Sequence, residues 1–281
     1  MLKKPVSRQL IQDHKTRKNV HWIKSRYKFL SVHNGIRPGC LHGLKGTMGS
    51  GKSSLLKCII TETAAQAKVL IWLSEETVSE YQEMISYLDS DVLGNVTFIE
   101  ERDVPPQIKN NQTALFEFFD QMIEESGAEI TFIDNITTSR FYNPTHGLTG
   151  QQRSAEFLRD YTKETGHTIF YAAHSGSHVT DNFGRVSTPE DIRGSKDLPM
   201  VTEYFYIIQK FTLDDDQVNL LRNAKHRHHP DAAGWYALKW QHESYVGDVV
   251  CPFKVVNKMF KARDYLGKIE RKGKKNADPT K

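Results

Sequence analysis

The segment Gly46-Thr47-Met48-Gly49-Ser50-Gly51-Lys52-Ser53 constrains this chain more than any other stretch. Three glycines within six positions let backbone N–H groups turn inward and approach a ligand closely. The run that follows, "SSLLKCIITETAAQA", has the apolar spacing and the alanines of a helix. Its unpaired first amides and the positive end of its dipole would face the same turn. Such a turn is an anion cradle. The spacing matches a phosphate-binding loop at every fixed position, with Lys52 placed for β- and γ-phosphates and Ser53, followed by Ser54, for Mg²⁺. A loop that merely caps a helix would not require the lysine.

The flanks place this loop in an α/β fold. A short strand, "CLHGLK", leads into it. "KVLIWLS" is a continuous apolar run, as expected of a strand buried on both faces. "TVSEYQEMISYLD" reads as a helix with Thr77 as N-cap and Glu80 completing a capping box. "NVTFIEE", "EITFID" and "HTIFYAAH" read as further strands. Two helices separate them: "QTALFEFFDQMIEESG", stopped by Gly127, and "TGQQRSAEFLRDYTKETG", stopped by Gly166. Alternating strands and helices imply a mostly parallel central sheet. From about residue 200 the pattern changes to "VTEYFYIIQKF", "QVNLLRNAKHR" and "AGWYALKWQH", joined by short polar turns, an antiparallel extension of the same sheet at its C-terminal end.

A chain of 281 residues accommodates one such domain with appendages. The expected division is a basic arm or linker helix over 1–26, the core over 27–252 and a basic tail over 253–281. Three scattered cysteines imply neither a disulfide framework nor a zinc ribbon. No apolar run reaches membrane-spanning length and no apolar signal core opens the chain, so a cytoplasmic location and no membrane partner are expected. A net charge of +4, concentrated at the two ends, permits nucleic acid as a partner without requiring it.

Four more features carry chemistry. The apolar strand "EITFID" ends in Asp134, the position of a carboxylate that orders the Mg²⁺ shell. Hydrolysis needs a group to orient or deprotonate water, and Glu75 or Glu76 follows "KVLIWLS" for that purpose. "FYAAHSGSH" ends a buried strand in His174, where a polar side chain can hydrogen-bond a γ-phosphate. "NAKHRHHPDAAG" sets Lys225 and Arg227 two apart on a strand, facing the same way. Two cations on one face call for an anion between them, and a neighbouring subunit's triphosphate would supply it.

From about Arg26 to Gly247 the order of these motifs resembles the ring helicases related to DnaB, Twinkle and the helicase half of phage primase-helicases. The resemblance rests on the loop, the Glu pair, Asp134, the His-ended strand followed by "IRGS", and K-x-R. It implies a RecA-like core, ATP or another nucleoside triphosphate with Mg²⁺ as cofactors, and a homo-oligomer, hexameric in relatives. Such a ring surrounds single-stranded DNA and translocates 5′ to 3′ as a replicative helicase. It also implies Glu75 as the catalytic carboxylate, His174 as the γ-phosphate sensor, Arg227 as a finger acting in trans with Lys225 beside it, and Trp235 as an aromatic ring placed to stack on the nucleotide base. DNA contacts would come from Gly176, His178, Gly184, Arg185 and Arg193. A separate primase, polymerase or loader is a candidate partner. The alternative is a RecA- or KaiC-like ATPase, or a helicase-loading module, that does not unwind. The chain departs from relatives at Lys196 and Asp197, where they carry a small and an apolar residue.

Overall fold

The apolar runs pair with one another at their expected places. A computed structural model of the chain describes residues 22–32, 34–81, 90–142, 147–176, 187–213, 216–227, 234–241 and 244–251. Nine strands form one sheet in the order β3-β2-β4-β5-β1-β6-β7-β8-β9. They span Leu41–Gly46 (β1), Val69–Leu73 (β2), Val96–Glu100 (β3), Ile130–Asp134 (β4), Thr168–His174 (β5), Tyr204–Leu213 (β6), Asp216–His226 (β7), Gly234–Gln241 (β8) and Ser244–Cys251 (β9). The first six strands pair in parallel and the last three antiparallel, the α/β arrangement expected above.

Helices cover both faces, which is why β1, β2 and β4 are buried along their whole length. On one face α2 (Lys52–Ala64) packs Leu55, Leu56, Ile59 and Ile60 against Leu44, Ile71 and Phe132. On the other, α4 (Gln112–Ser126) and α5 (Gly147–Thr165) bring Leu115, Phe119 and Leu158 against Trp72, Ile133 and Tyr171. The short helices are α1 (Lys28–Ser31), α3 (Ser90–Leu93) and α6 (Asp197–Val201). Helix ends follow the local chemistry. Asn111 Oδ1 accepts from the Ala114 amide, and Gly127 closes α4 in the left-handed conformation at φ 61°. Thr77 and Glu80 form the expected capping box, and these hydrogen bonds hold the Glu80 carboxyl below its usual range.

Three boundaries differ from the expectation. Residues 22–26 pack on the core instead of forming a separate arm. Ile23 bridges to Ile36, and Lys24 and Arg26 donate backbone N–H groups to Gln66 and Glu62 of the region around α2. The strand "NVTFIEE" stops at Glu100. Glu101 turns inward, where its carboxylate accepts from Trp72 Nε1 (2.8 Å) and the Arg140 amide (3.0 Å). A fourth late strand, β9, extends the sheet beyond the three expected. The remaining parts of the arm, 1–21, and the tail, 253–281, lie outside the described residues.

Candidate active site

The loop Thr47–Gly51 joins β1 to α2 at the carboxyl ends of the parallel strands, where open α/β sheets bind ligands. Gly49 and Gly51 take φ 74° and 81°, conformations that a side chain would oppose. A Cβ at Gly49 would meet nothing within 4 Å, so the loop is an open cradle there. A Cβ at Gly46 would strike Ser50 Oγ (2.4 Å), and one at Gly51 would strike the Tyr245 hydroxyl (2.1 Å). Ser50 braces the turn through Thr47 O (2.8 Å), while Met48 projects outward at 89% exposure. Lys52, Ser53 and Ser54 open the first turn of α2, Lys52 being buried. A bent, glycine-built turn with a lysine and a hydroxyl behind it fits a polyphosphate with its Mg²⁺.

Strand ends bring the other groups to the same edge. Asp134 closes β4, is buried, and accepts from the Tyr81 hydroxyl (2.6 Å). The close carboxylate and burial push the Tyr81 phenol well up. Ser74 ties the end of β2 to that of β4. Its amide donates to Asp134 O (2.9 Å), its Oγ donates to Asn135 O (2.6 Å), and Oγ accepts from the Asn135 amide (2.9 Å). Glu75 follows directly, so its backbone is fixed. Its carboxylate accepts from His174 Nε2, with oxygens at 3.0 and 3.2 Å. The His174 amide is held by Thr137 Oγ1 (3.1 Å), and the next amide, Ser175, donates to Gly46 O (3.1 Å). Loop, carboxylate and histidine therefore form one connected edge. Glu76 points elsewhere: its carboxylate pairs with Lys57 of α2 at 2.5 Å, and Lys57 Nζ lies 4.5 Å from the Tyr81 ring centroid.

The remaining candidates are placed differently. Arg227 follows β7 at the end of the strands opposite to the phosphate loop. Its amide donates to Glu203 O (3.1 Å), and its largely exposed guanidinium lies 3.6 Å from the Glu203 carboxylate. Glu203 also accepts from the Leu41 amide at the start of β1 (3.0 Å). At ~3.3 Å per residue, the five steps from Leu41 to Gly46 put Arg227 roughly 16 Å from its own phosphate loop. Lys225 is committed, donating to the carbonyls of Pro199 (3.0 Å) and Met200 (2.7 Å). Partial burial lowers its pKa, opposed by the Glu203 carboxylate. The anion that the two cations require is thus supplied by Glu203 within the same chain. Trp235 is 4% exposed, with the Arg222 guanidinium carbon 5.9 Å from its ring centroid, so it offers no open face for a base.

Of the DNA candidates, the Gly176 amide is a correction: it donates to Asp191 O (2.8 Å) and is not turned outward. Arg193 is exposed, its amide donating to His174 O (2.9 Å). His178, Gly184 and Arg185 fall outside the described residues. The departure at Asp197 has a local reason, since its carboxylate accepts from Ser195 Oγ and its amide donates back to the same oxygen (3.1 Å) at the start of α6.

Tyr245 is the site residue that the sequence reading missed. Its hydroxyl accepts from Asn219 Nδ2 (2.5 Å) and sits against Gly51, although Tyr245 is separated from the loop by most of the chain. Only the curl of β9 over α2 brings it there, and no local pattern encodes that curl.

The cradle, the buried acid on β4 and the Glu–His pair at the ends of β2 and β5 lie together at the carboxyl ends of the parallel strands of an α/β core. No family model and no curated protein matches the sequence. Among solved structures, a KaiC-like protein from the hyperthermophilic archaeon Pyrococcus horikoshii superposes with a TM-score of 0.60 at 15% identity, covering 83% of this chain and 100% of that one. The fold is therefore that of a RecA- or KaiC-like core: a mostly parallel sheet with antiparallel strands at its C-terminal end.

Proposed function

We propose that the chain is a Mg²⁺-dependent ATPase that works on single-stranded DNA as a ring-forming replicative helicase. The observation that carries the ATPase reading is the Glu75–His174 contact, which reaches from the end of β2 past β4 to β5, the strand paired with β1 and its phosphate cradle. Lys52 and the loop amides hold the β- and γ-phosphates, and Ser53 with Asp134 would hold the cation, which neutralises charge developing on the phosphates. Glu75 orients and deprotonates the attacking water. His174 fixes the carboxylate before the nucleotide arrives and lies where loss of a γ-phosphate alters its partner. The unwinding reading rests on motif order and on the exposed Arg227, which sits too far from its own loop to serve it. A second reading is the same ATPase without unwinding.

Strand displacement on a forked duplex, run beside ATP turnover with and without single-stranded DNA, separates the readings. The helicase should show DNA-stimulated turnover and displacement. Its DNA affinity should be insensitive to sequence and fall steeply with salt as counterions are released. Turnover without displacement selects the second reading, and a Lys52→Ala variant with normal turnover would remove both.

A further inference from the structure

Lys45 has no part in the reaction just described, yet it is fully buried and directly precedes Gly46 of the phosphate loop. An amine carried into the interior is costly unless it is hydrogen-bonded. Its Nζ donates to Ser187 Oγ (2.6 Å) and to the Thr188 carbonyl (2.5 Å). Those acceptors open a segment, 187–193, that is fastened at every step. The Ser187 amide donates to Gln209 Oε1 on β6 (3.2 Å), and Arg222 on β7 reaches the Ser187 carbonyl (3.4 Å). Thr188 and Asp191 form a capping box. Ile192 bridges to Ser175, and the Arg193 amide ends on the carbonyl of His174.

One end of this segment is therefore tied by Lys45 to the phosphate loop and the other to His174. Its surface carries the exposed Arg193. We propose that Lys45 is a positioning residue that couples nucleotide occupancy to the binding of single-stranded DNA. The inference rests on the function proposed above. The two bonds from Nζ oblige segment 187–193 to follow any displacement of the end of β1. A ligand on one side then biases the arrangement preferred by a ligand on the other, and by linkage the bias is equal in both directions. Without the amine, the segment keeps its bond to His174 O and its bridge to Ser175, but loses the side-chain tie that links Ser187 and Thr188 to the end of β1.

The test uses the full chain, a labelled oligo(dT) and a non-hydrolysable ATP analogue with Mg²⁺. The analogue should tighten oligo(dT) binding by a factor within about 5–150, and oligo(dT) should tighten analogue binding equally. Lys45→Met keeps the aliphatic stem and removes the donors. Its coupling factor should fall well below the parental value, toward about 1, while each ligand alone binds within roughly threefold of the parent. Ser187→Ala removes one acceptor, should lose part of the coupling, and decides the matter if the lysine variant does not fold. Parental coupling in both variants would overturn the inference, as would a parallel loss of both separate affinities, the mark of a merely structural residue. A parent that binds no oligo(dT) would instead defeat the DNA reading itself and take this inference with it.

Discussion

Glu75 and Glu76 are adjacent in sequence and have separate tasks in space, one facing His174 across the strand ends and the other paired with Lys57 on α2. Glu75→Gln can still accept a hydrogen bond but cannot take a proton. Nucleotide titration should show normal binding, while single-turnover hydrolysis falls by about 10²-fold or more. Glu76→Gln should turn over normally and lose on the order of 1 kcal/mol from an ion pair whose side chains are 23% and 27% exposed; the reverse pattern would exchange the roles. Residues that touch no ligand are equally specific in what they do. The His42 ring is buried, stacked 4.5 Å from Tyr204, with Nε2 donating to Arg37 O at 3.1 Å. Burial pushes its pKa down to about 4. An unfolded histidine titrates near 6.5, so the folded state binds fewer protons between these values. Stability is then complete above about pH 6.5 and is lost as pH falls toward 4, by roughly 2 kcal/mol at pH 5. Urea unfolding at pH 7.5 and 5 should show this fall, with a similar share from His167, which burial also lowers to about 4. His42→Phe keeps the stack and should remove its own share of the difference.

At the scale of elements, the strands that could be read were those with a continuous apolar run. β2 and β4 are buried from end to end and β5 up to His174, so they are apolar apart from a threonine in each of β4 and β5 and the site residue that ends each of those two strands, and each ends in the residue that the site uses or its immediate neighbour. β9 was not readable because its sequence, "SYVGDVVC", places Gly247 and Asp248 in mid-strand, where they look like a turn. Asp248 is there for another element. Its carboxylate accepts from the Lys28 and Phe29 amides at the start of α1, while Tyr27 donates to the Tyr245 carbonyl (2.7 Å). Burial raises the Asp248 pKa against the opposing pull of those hydrogen bonds. The N-terminal segment is thereby clamped to β9, and β9 in turn sets Tyr245 against Gly51. Asp248→Ala leaves two helix-start amides without their acceptor and should cost about 1–3 kcal/mol in urea unfolding. Unchanged stability would mean that α1 is held by the packing of Phe29 on Tyr206 and Tyr236 alone.

At the scale of the whole molecule, the phosphate loop and Arg227 lie at opposite ends of the strands of one sheet, a separation that motif order could not reveal. From the sequence, an anion between Lys225 and Arg227 seemed to require a neighbouring subunit. Glu203 meets that requirement within the chain, so the argument for assembly now rests on the exposure and position of Arg227 alone. In the assembly proposed above, a second copy would bring this guanidinium to a phosphate loop. Arg227→Ala should therefore bind ATP normally, because its own loop is intact, and lose turnover on the scale of about 10³-fold associated with arginine fingers. Mixing is the more discriminating measurement. Where an Arg227→Ala subunit meets a Lys52→Ala subunit, some interfaces combine a working loop from the first with a working arginine from the second. Mixtures should then regain part of the turnover that neither variant shows alone, with a maximum near equal proportions. If Arg227 does no more than pair with Glu203, the single variant will hydrolyse ATP at close to the parental rate and change only in stability. If its effect is confined to its own subunit, turnover in mixtures will be the sum of the two inactive parts, and a motor assembled from neighbouring copies would have no support in this residue.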